Sequence, residues 1–188
     1  MWGARILQQV GLAIDRRFIK KVAAKPVPGS ELKLLLVCFH PYHGASPLKL
    51  SEHLLIQPGE VIGEFHLANR RVMEIAAETE YSLQWRLIEM IRLEFQTLAT
   101  ACLAGEILET VRGFYGVNVL AAGARRLGFT MVAIPRGWQR WWLGFWESCL
   151  RLVFYSFKTK KKAVLKRTMD PYEIWITRED LIARYSNK

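Results

Sequence analysis

Glu64 and His66 stand two residues apart in the stretch Gly59-Glu60-Val61-Ile62-Gly63-Glu64-Phe65-His66-Leu67-Ala68-Asn69. A strand turns successive side chains to opposite faces. Read as a strand, this stretch sends Val61, Phe65 and Leu67 one way. Glu64 and His66 go the other way, about 7 Å apart along the chain. An imidazole beside a carboxylate, with apolar residues behind, can move protons or ligate a metal. Glu64 and His66 are therefore the candidate catalytic pair. His40 and His43 join them if the strand that precedes them lies alongside, and Asn69 follows at the strand's end. These three are the candidate substrate contacts. Asn69 is also placed to cap the next helix. The competing reading of His66 and His43 is a histidine that hydrogen-bonds structurally at a sheet edge. His53 is expected on a strand face in solvent. No HExxH and no cupin-like His-x-His is present, so the spacing predicts neither a metal nor a cofactor.

The elements that must position these residues follow from periodicity and breakers. Residues 2 to 22 read as an amphipathic helix, with Ile6, Val10, Ile14 (or Ala13) and Phe18 at three-to-four spacing. Pro26-Val27-Pro28-Gly29-Ser30 breaks it. Leu34 to Phe39 is a short apolar run and reads as a buried strand, followed by a His40–Gly44 loop. Lys49 to Ile56 is a second strand, Gln57–Glu60 a turn, and 61 to 67 the third strand. Three strands so close suggest a small, partly antiparallel meander. Residues 81 to 111 read as a helix with a core stripe of Leu83, Leu87, Met90, Ile91, Phe95, Leu98, Cys102 and Leu103. Gly116 to Arg126 reads as another helix, with Gly128 as its C-cap. Thr130 to Ile134 is a strand, Trp138 to Phe157 a long helix, Tyr172 to Thr177 a last strand and Arg178 to Tyr185 a final helix. The class is α+β: a small mixed sheet packed against several helices, in a single domain over residues 1–188.

Composition narrows the surroundings. The chain has 188 residues, 51% hydrophobic and 23% charged, enough for a real core and too apolar for intrinsic disorder. Its net charge of +10 points to anionic partners. Cys38, Cys102 and Cys149 are odd in number, far apart and set among apolar residues, which suggests reduced, buried thiols in a cytosolic protein. The N-terminal segment mixes Arg5, Asp15, Arg16 and Arg17 with apolar residues, unlike a signal peptide. No segment approaches the roughly 20 apolar residues of a spanning helix.

Much of the charge is concentrated. Between Arg136 and Arg167 lie nine basic residues and one acid, Glu147, and four of the seven tryptophans fall between Trp138 and Trp146. Trp138, Trp141 and Trp142 beside Lys160, Lys161 and Lys162 suit an anionic bilayer surface. Rings favour the headgroup depth, and each lysine near such a surface contributes about 1 kcal/mol. A core helix followed by a solvated basic loop explains the same pattern. Nucleic acid is disfavoured, because no nucleic-acid-binding motif accompanies the charge.

Other signatures are weak. Ala124-Arg125-Arg126-Leu127-Gly128-Phe129 is similar to the end of the acetyl-coenzyme-A helix of N-acetyltransferases. Those enzymes also need a glycine-rich pyrophosphate loop at the helix start, and Val111–Gly116 does not have that pattern. No GxGxxG, Walker or GxSxG motif is present.

Four segments, in order, resemble the YkoP-like family of bacterial proteins: Pro26-Val-Pro-Gly-Ser30; Pro58-Gly-Glu-Val-Ile-Gly-Glu-Phe-His-Leu-Ala-Asn69; Tyr115-Gly-Val117 leading into Ala124-Arg-Arg-Leu-Gly-Phe129; and Glu173-Ile-Trp-Ile-Thr-Arg178 before Leu181. The domain also occurs attached to polysaccharide deacetylase domains. The resemblance therefore implies a link to cell-envelope polysaccharide metabolism, with envelope-polysaccharide enzymes as partners and Glu64, His66 and Asn69 as the polar positions to watch. The deacetylase's own His-x-x-x-His and paired Asp are missing here. Two readings result. One is a cytoplasmic accessory, peripheral at the inner face of the membrane. The other is an enzyme acting on a glycan or phosphorylated substrate through His66 and Glu64.

Overall fold

The computed structural model describes residues 2–50, 54–78, 83–118, 124–125, 127–134 and 172–186. Helix α1 (Trp2–Lys21) precedes strands β1 (Lys25–Pro26) and β2 (Leu35–Pro41). Two short strands, β3 (Leu48–Lys49) and β4 (Leu55–Ile56), come next, then β5 (Val61–Leu67), α2 (Asn69–Glu78) and α3 (Leu83–Leu103). The chain continues through β6 (Gly113–Asn118), β7 (Thr130–Ala133), β8 (Tyr172–Thr177) and α4 (Arg178–Tyr185). Among the described residues, six strands form one mixed sheet in the order β1-β2-β5-β6-β8-β7, and β3 pairs with β4 separately. Only the β5–β6 pairing is parallel; its neighbours are antiparallel. The α+β class stands.

Two rows of side chains cross this sheet. Cys38 pairs with Glu64, Glu64 with Tyr115, and Tyr115 with Trp175, so these four share one face, joined by His40 and His66 two residues along. The other face carries Val37, Phe65, Phe114 and Ile176. It is buried against Phe95 and Leu98 of α3 and Leu181 and Tyr185 of α4. That face is the main core. On the site face, Ile62 and Trp175 pack with Leu50, Leu54 and Ile56 around the β3–β4 pair. Gly63 stands next to Glu64 beneath the Phe114 ring of the neighbouring strand, where an added Cβ would collide with the ring. An aromatic ring covering a strand glycine locks two neighbours together, which fixes the backbone that aims Glu64.

Two buried polar devices anchor the sheet. Glu94 of α3 is 1% exposed. Its Oε1 accepts from the Leu34 amide (2.6 Å), the Leu35 amide (3.2 Å) and the Ser30 hydroxyl (2.9 Å) at the entry to β2. The Arg178 guanidinium donates to the carbonyls of Cys102 (2.7 Å), Leu108 (3.1 Å) and Ile107 (3.3 Å). It thereby ties the last turn of α3, through Cys102, to the segment that follows it, through Ile107 and Leu108. Thr177 caps α4, its hydroxyl accepting from the Asp180 amide at 2.9 Å.

Several expectations are corrected. Gly116 does not open a helix. Gly113–Asn118 is strand β6, held between β5 and β8, and this pairing overrides the helical run of the sequence. The helix expected over 81–111 stops at Leu103, where Gly105 takes a left-handed φ of 74° and the Glu106 amide returns to the Ala101 carbonyl. Leu103, assigned to its core stripe, is 61% exposed. His40 belongs to β2 rather than to a loop. The second strand of the expected meander is diverted into the β3–β4 pair, so β2 and β5 meet directly. The expected Gly128 turn is present, with φ 87°. The 138–157 helix, Cys149 and His53 lie outside the described residues.

Candidate active site

The register of β2 on β5 decides which polar groups meet. Cys38 lies opposite Glu64, while Leu36 and Ile62 lie opposite His66 and His40. Period-two alternation then sets Cys38, His40, Glu64 and His66 on the face away from the α3 core. Glu64 stands between two imidazoles. Its Oε2 is 3.3 Å from His40 Nε2 and its Oε1 is 3.5 Å from His66 Nε2. The three side chains are 18–28% exposed, shielded but not sealed from solvent. His66 Nε2 also lies 3.9 Å from Cys38 Sγ. The Tyr115 hydroxyl is 3.3 Å from His40 Nε2 and hydrogen-bonds Glu64 as well.

Aromatic groups surround these contacts. Phe18 of α1 meets the His66 ring edge-on at 5.2 Å. His43 stacks on His40 at 5.8 Å, and Tyr115 stacks on buried Trp175 at 4.6 Å. The Trp175 indole N–H donates to Glu173 at 2.9 Å.

The electrostatics follow from burial beside one carboxylate. Burial holds the His66 imidazole below its usual range, against the pull of Glu64 and with some help from His40. A neutral His66 is free to accept a proton. Burial, with Glu64 adding to it, pushes the Cys38 thiol up to about 11. The same two influences push the Tyr115 phenol well above its ordinary value, so near neutral pH it keeps its proton.

Of the expected site residues, the fold brings Glu64, His66 and His40 together. His43 is exposed at the rim and meets the site through the His40 ring. Asn69 is the first residue of α2, and its amide donates to Asp15 of α1 at 2.8 Å. Asn69 thus ties the two helices together, and it stands inside α2 rather than at the capping position before it. Trp138, Trp141, Trp142, Lys160, Lys161 and Lys162 lie outside the described residues. Gly113 and Gly116, which an acetyl-coenzyme-A site would need in a pyrophosphate loop, lie in β6. Among the described residues, no helix is long and apolar enough to cross a membrane.

Two members of the cluster escaped the reading of the sequence. Cys38 stands two residues before His40, so strand alternation alone puts them on one face. Tyr115 was hidden by the helical reading of its neighbours.

No curated protein and no solved structure matches the chain. The segments at Pro26–Ser30, Pro58–Asn69, Tyr115–Val117 and Glu173–Arg178 fall on the Glu94-bound turn before β2, the site strand β5, strand β6 and the β8–Arg178 anchor. They are covered by a match to the YkoP domain over residues 4–185, nearly the whole length, and the chain belongs to the YkoP domain family.

Proposed function

We propose that this protein is an acid–base enzyme acting on a glycan or phosphorylated substrate, with His66 as the proton carrier and Glu64 as its partner. The observation that carries this reading is one half-buried carboxylate shared by two imidazoles, at 3.3 and 3.5 Å. A carboxylate so placed orients each ring and stabilises the imidazolium formed when a proton is taken. The depressed basicity of His66 favours a base that is unprotonated near neutral pH. His40, held by Glu64 and Tyr115, is positioned to return a proton from the other side. The exposed rings of Phe18 and His43 offer flat apolar surface to a sugar.

The test is turnover of a panel of phosphate esters and acetylated glycans. His66→Ala and Glu64→Gln each lower kcat by about 10²–10⁴-fold while circular dichroism stays unchanged. Full turnover in both variants would make the cluster a structural hydrogen-bond network.

A second reading concerns where the protein works. The nine basic residues and four tryptophans within 136–167 support attachment to an anionic membrane surface as an accessory in envelope polysaccharide metabolism. Vesicles containing anionic lipid should co-sediment the protein at low salt and release it at high salt. Failure to co-sediment at low salt ends this reading.

A further inference from the structure

We propose that Cys38 Sγ, Glu64 Oε1 and His66 Nε2 form a three-donor site for a divalent cation of the zinc type, with a fourth position left for water or substrate. The inference deepens the preceding reading at the same residues: with an ion bound, His66 Nε2 is a ligand rather than the proton carrier, and the ion supplies a Lewis acid in its place. Its role in turnover rests on that reading, and the binding itself does not.

The geometry carries it. These three donor atoms lie within 4.8 Å of one another. Around a tetrahedral zinc with bonds of about 2.0–2.3 Å, neighbouring donors stand about 3.3–3.6 Å apart. The His66–Glu64 and His66–Cys38 separations are 3.5 and 3.9 Å. Seating the ion therefore closes the two His66 contacts by a few tenths of an ångström and draws Cys38 Sγ and Glu64 Oε1 inward from a separation of at most 4.8 Å. The donors sit on two directly paired strands, Cys38 opposite Glu64, a more rigid mount than a loop. Thiolate, imidazole and carboxylate together suit zinc or cobalt(II) better than magnesium or calcium, which take oxygen donors.

The outer contacts also fit. His40 holds the second Glu64 oxygen at 3.3 Å, and Tyr115 hydrogen-bonds the same carboxylate. Such partners orient a ligating carboxylate and raise metal affinity. Phe18 packs on the His66 ring, fixing its plane. Binding forms a sulfur–metal bond at Cys38 and breaks the S–H bond, and the thiol proton leaves to solvent.

The experiment uses the full chain, stripped with chelator and titrated with cobalt(II), then zinc. One equivalent of cobalt(II) should produce a sulfur-to-cobalt charge-transfer absorption, and one equivalent of zinc should abolish it. Cys38→Ser should lose the band, while Cys102→Ser and Cys149→Ser keep it. His66→Ala should weaken cobalt binding by tenfold or more. Since a strand variant can misfold, the wild-type titration stands alone as the first criterion. No band at equimolar cobalt overturns the proposal, and so does a band that survives Cys38→Ser. Turnover is read on the same samples. A band lost in Cys38→Ser upholds the metal site even where no substrate is turned over. Turnover by metal-free protein overturns the ion's part in the reaction and leaves the acid–base reading standing.

Discussion

Replacing Glu94 with alanine should loosen the strand that carries Cys38 and His40, although Glu94 lies on the opposite side of the sheet. The magnitude follows from its partners. Glu94 Oε1 is the acceptor for the Leu34 and Leu35 amides, whose residues are 0% and 1% exposed. Neither amide can turn to water when the carboxylate goes. An orphaned buried donor costs about 1–3 kcal/mol, so two cost about 2–6 kcal/mol. The Ser30 hydroxyl loses a partner too, but Ser30 is only part-buried and can reach solvent. One term opposes this. Glu94 Oε2 is buried without a hydrogen-bond partner among the described residues, and truncation removes that burden. The net is about 2–5 kcal/mol, or roughly 5–15 °C in Tm for a chain of this size. Glu94→Gln keeps an oxygen for the amides and loses the charge, so it should fall between wild type and alanine.

Urea denaturation gives the free energies. Hydrogen exchange at Leu34 and Leu35 shows where they act, because those amides should open early in Glu94→Ala while the α4 amides follow the global stability. A Glu94→Ala protein within 1 kcal/mol of wild type, or unchanged protection at Leu34 and Leu35, would falsify the reasoning.

Three further outcomes are expected. Arg178→Ala should cost about 2–3 kcal/mol by freeing three carbonyls. Arg178→Lys should recover less than half, since an ammonium cannot span what the guanidinium fork does; equal melting temperatures for the two variants would count against the capping role. Gly63→Ala should cost about 1–3 kcal/mol through overpacking on Phe114, and paired Gly63→Ala/Phe114→Leu should recover part of it; strict additivity would show that the two do not meet. Stability of chelator-treated protein should fall as pH drops below about 6.5. His66 resists protonation when folded, so its contribution is present above its unfolded value of about 6.5 and is lost below it, with a slope of at most about 1.4 kcal/mol per pH unit. Asp15, raised by burial from 3.8, acts in the opposite sense and in a more acid window. Its contribution is full below 3.8 and lost as pH rises through the folded value. His66→Asn should flatten the profile between pH 7 and 5, and parallel profiles would refute the assignment.

The site strand was legible from its alternation around Phe65, although Ile62 on the site face is buried and Leu67, expected on the apolar face, is 38% exposed. Val61–Leu67 buries Phe65 and presents Glu64 and His66, as the pattern predicts. Tyr172–Thr177 and Arg178–Tyr185 were legible for a similar reason, with Thr177 and the acids Glu179 and Asp180 marking the helix start. Residues 116–118 were misread because Val117-Asn118-Val119-Leu120-Ala121-Ala122 looks helical in isolation, while two neighbouring strands claim its first part. Long-range pairing of that kind leaves no local trace. Gly105 did carry a local signal for the end of α3, two residues after the last member of the helical stripe, Leu103. Half of the polar cluster could be found from one strand. The other half needed the register between β2, β5 and β6, which no spacing within a single segment encodes.

The two halves of the sheet, β1-β2-β5 and β6-β8-β7, meet along a single parallel seam whose register is Gly63 with Phe114 and Glu64 with Tyr115. Residues 68–112 must be looped out before that seam can zip, which makes it a late and entropically demanding step of folding. Glu64 and Tyr115 sit on opposite banks of it. Any molecule that grips both works as a clasp between the halves and raises the stability of the whole sheet by an amount that grows with the logarithm of its concentration above Kd. Pocket filling and sheet closure are thus one equilibrium, approached from either end.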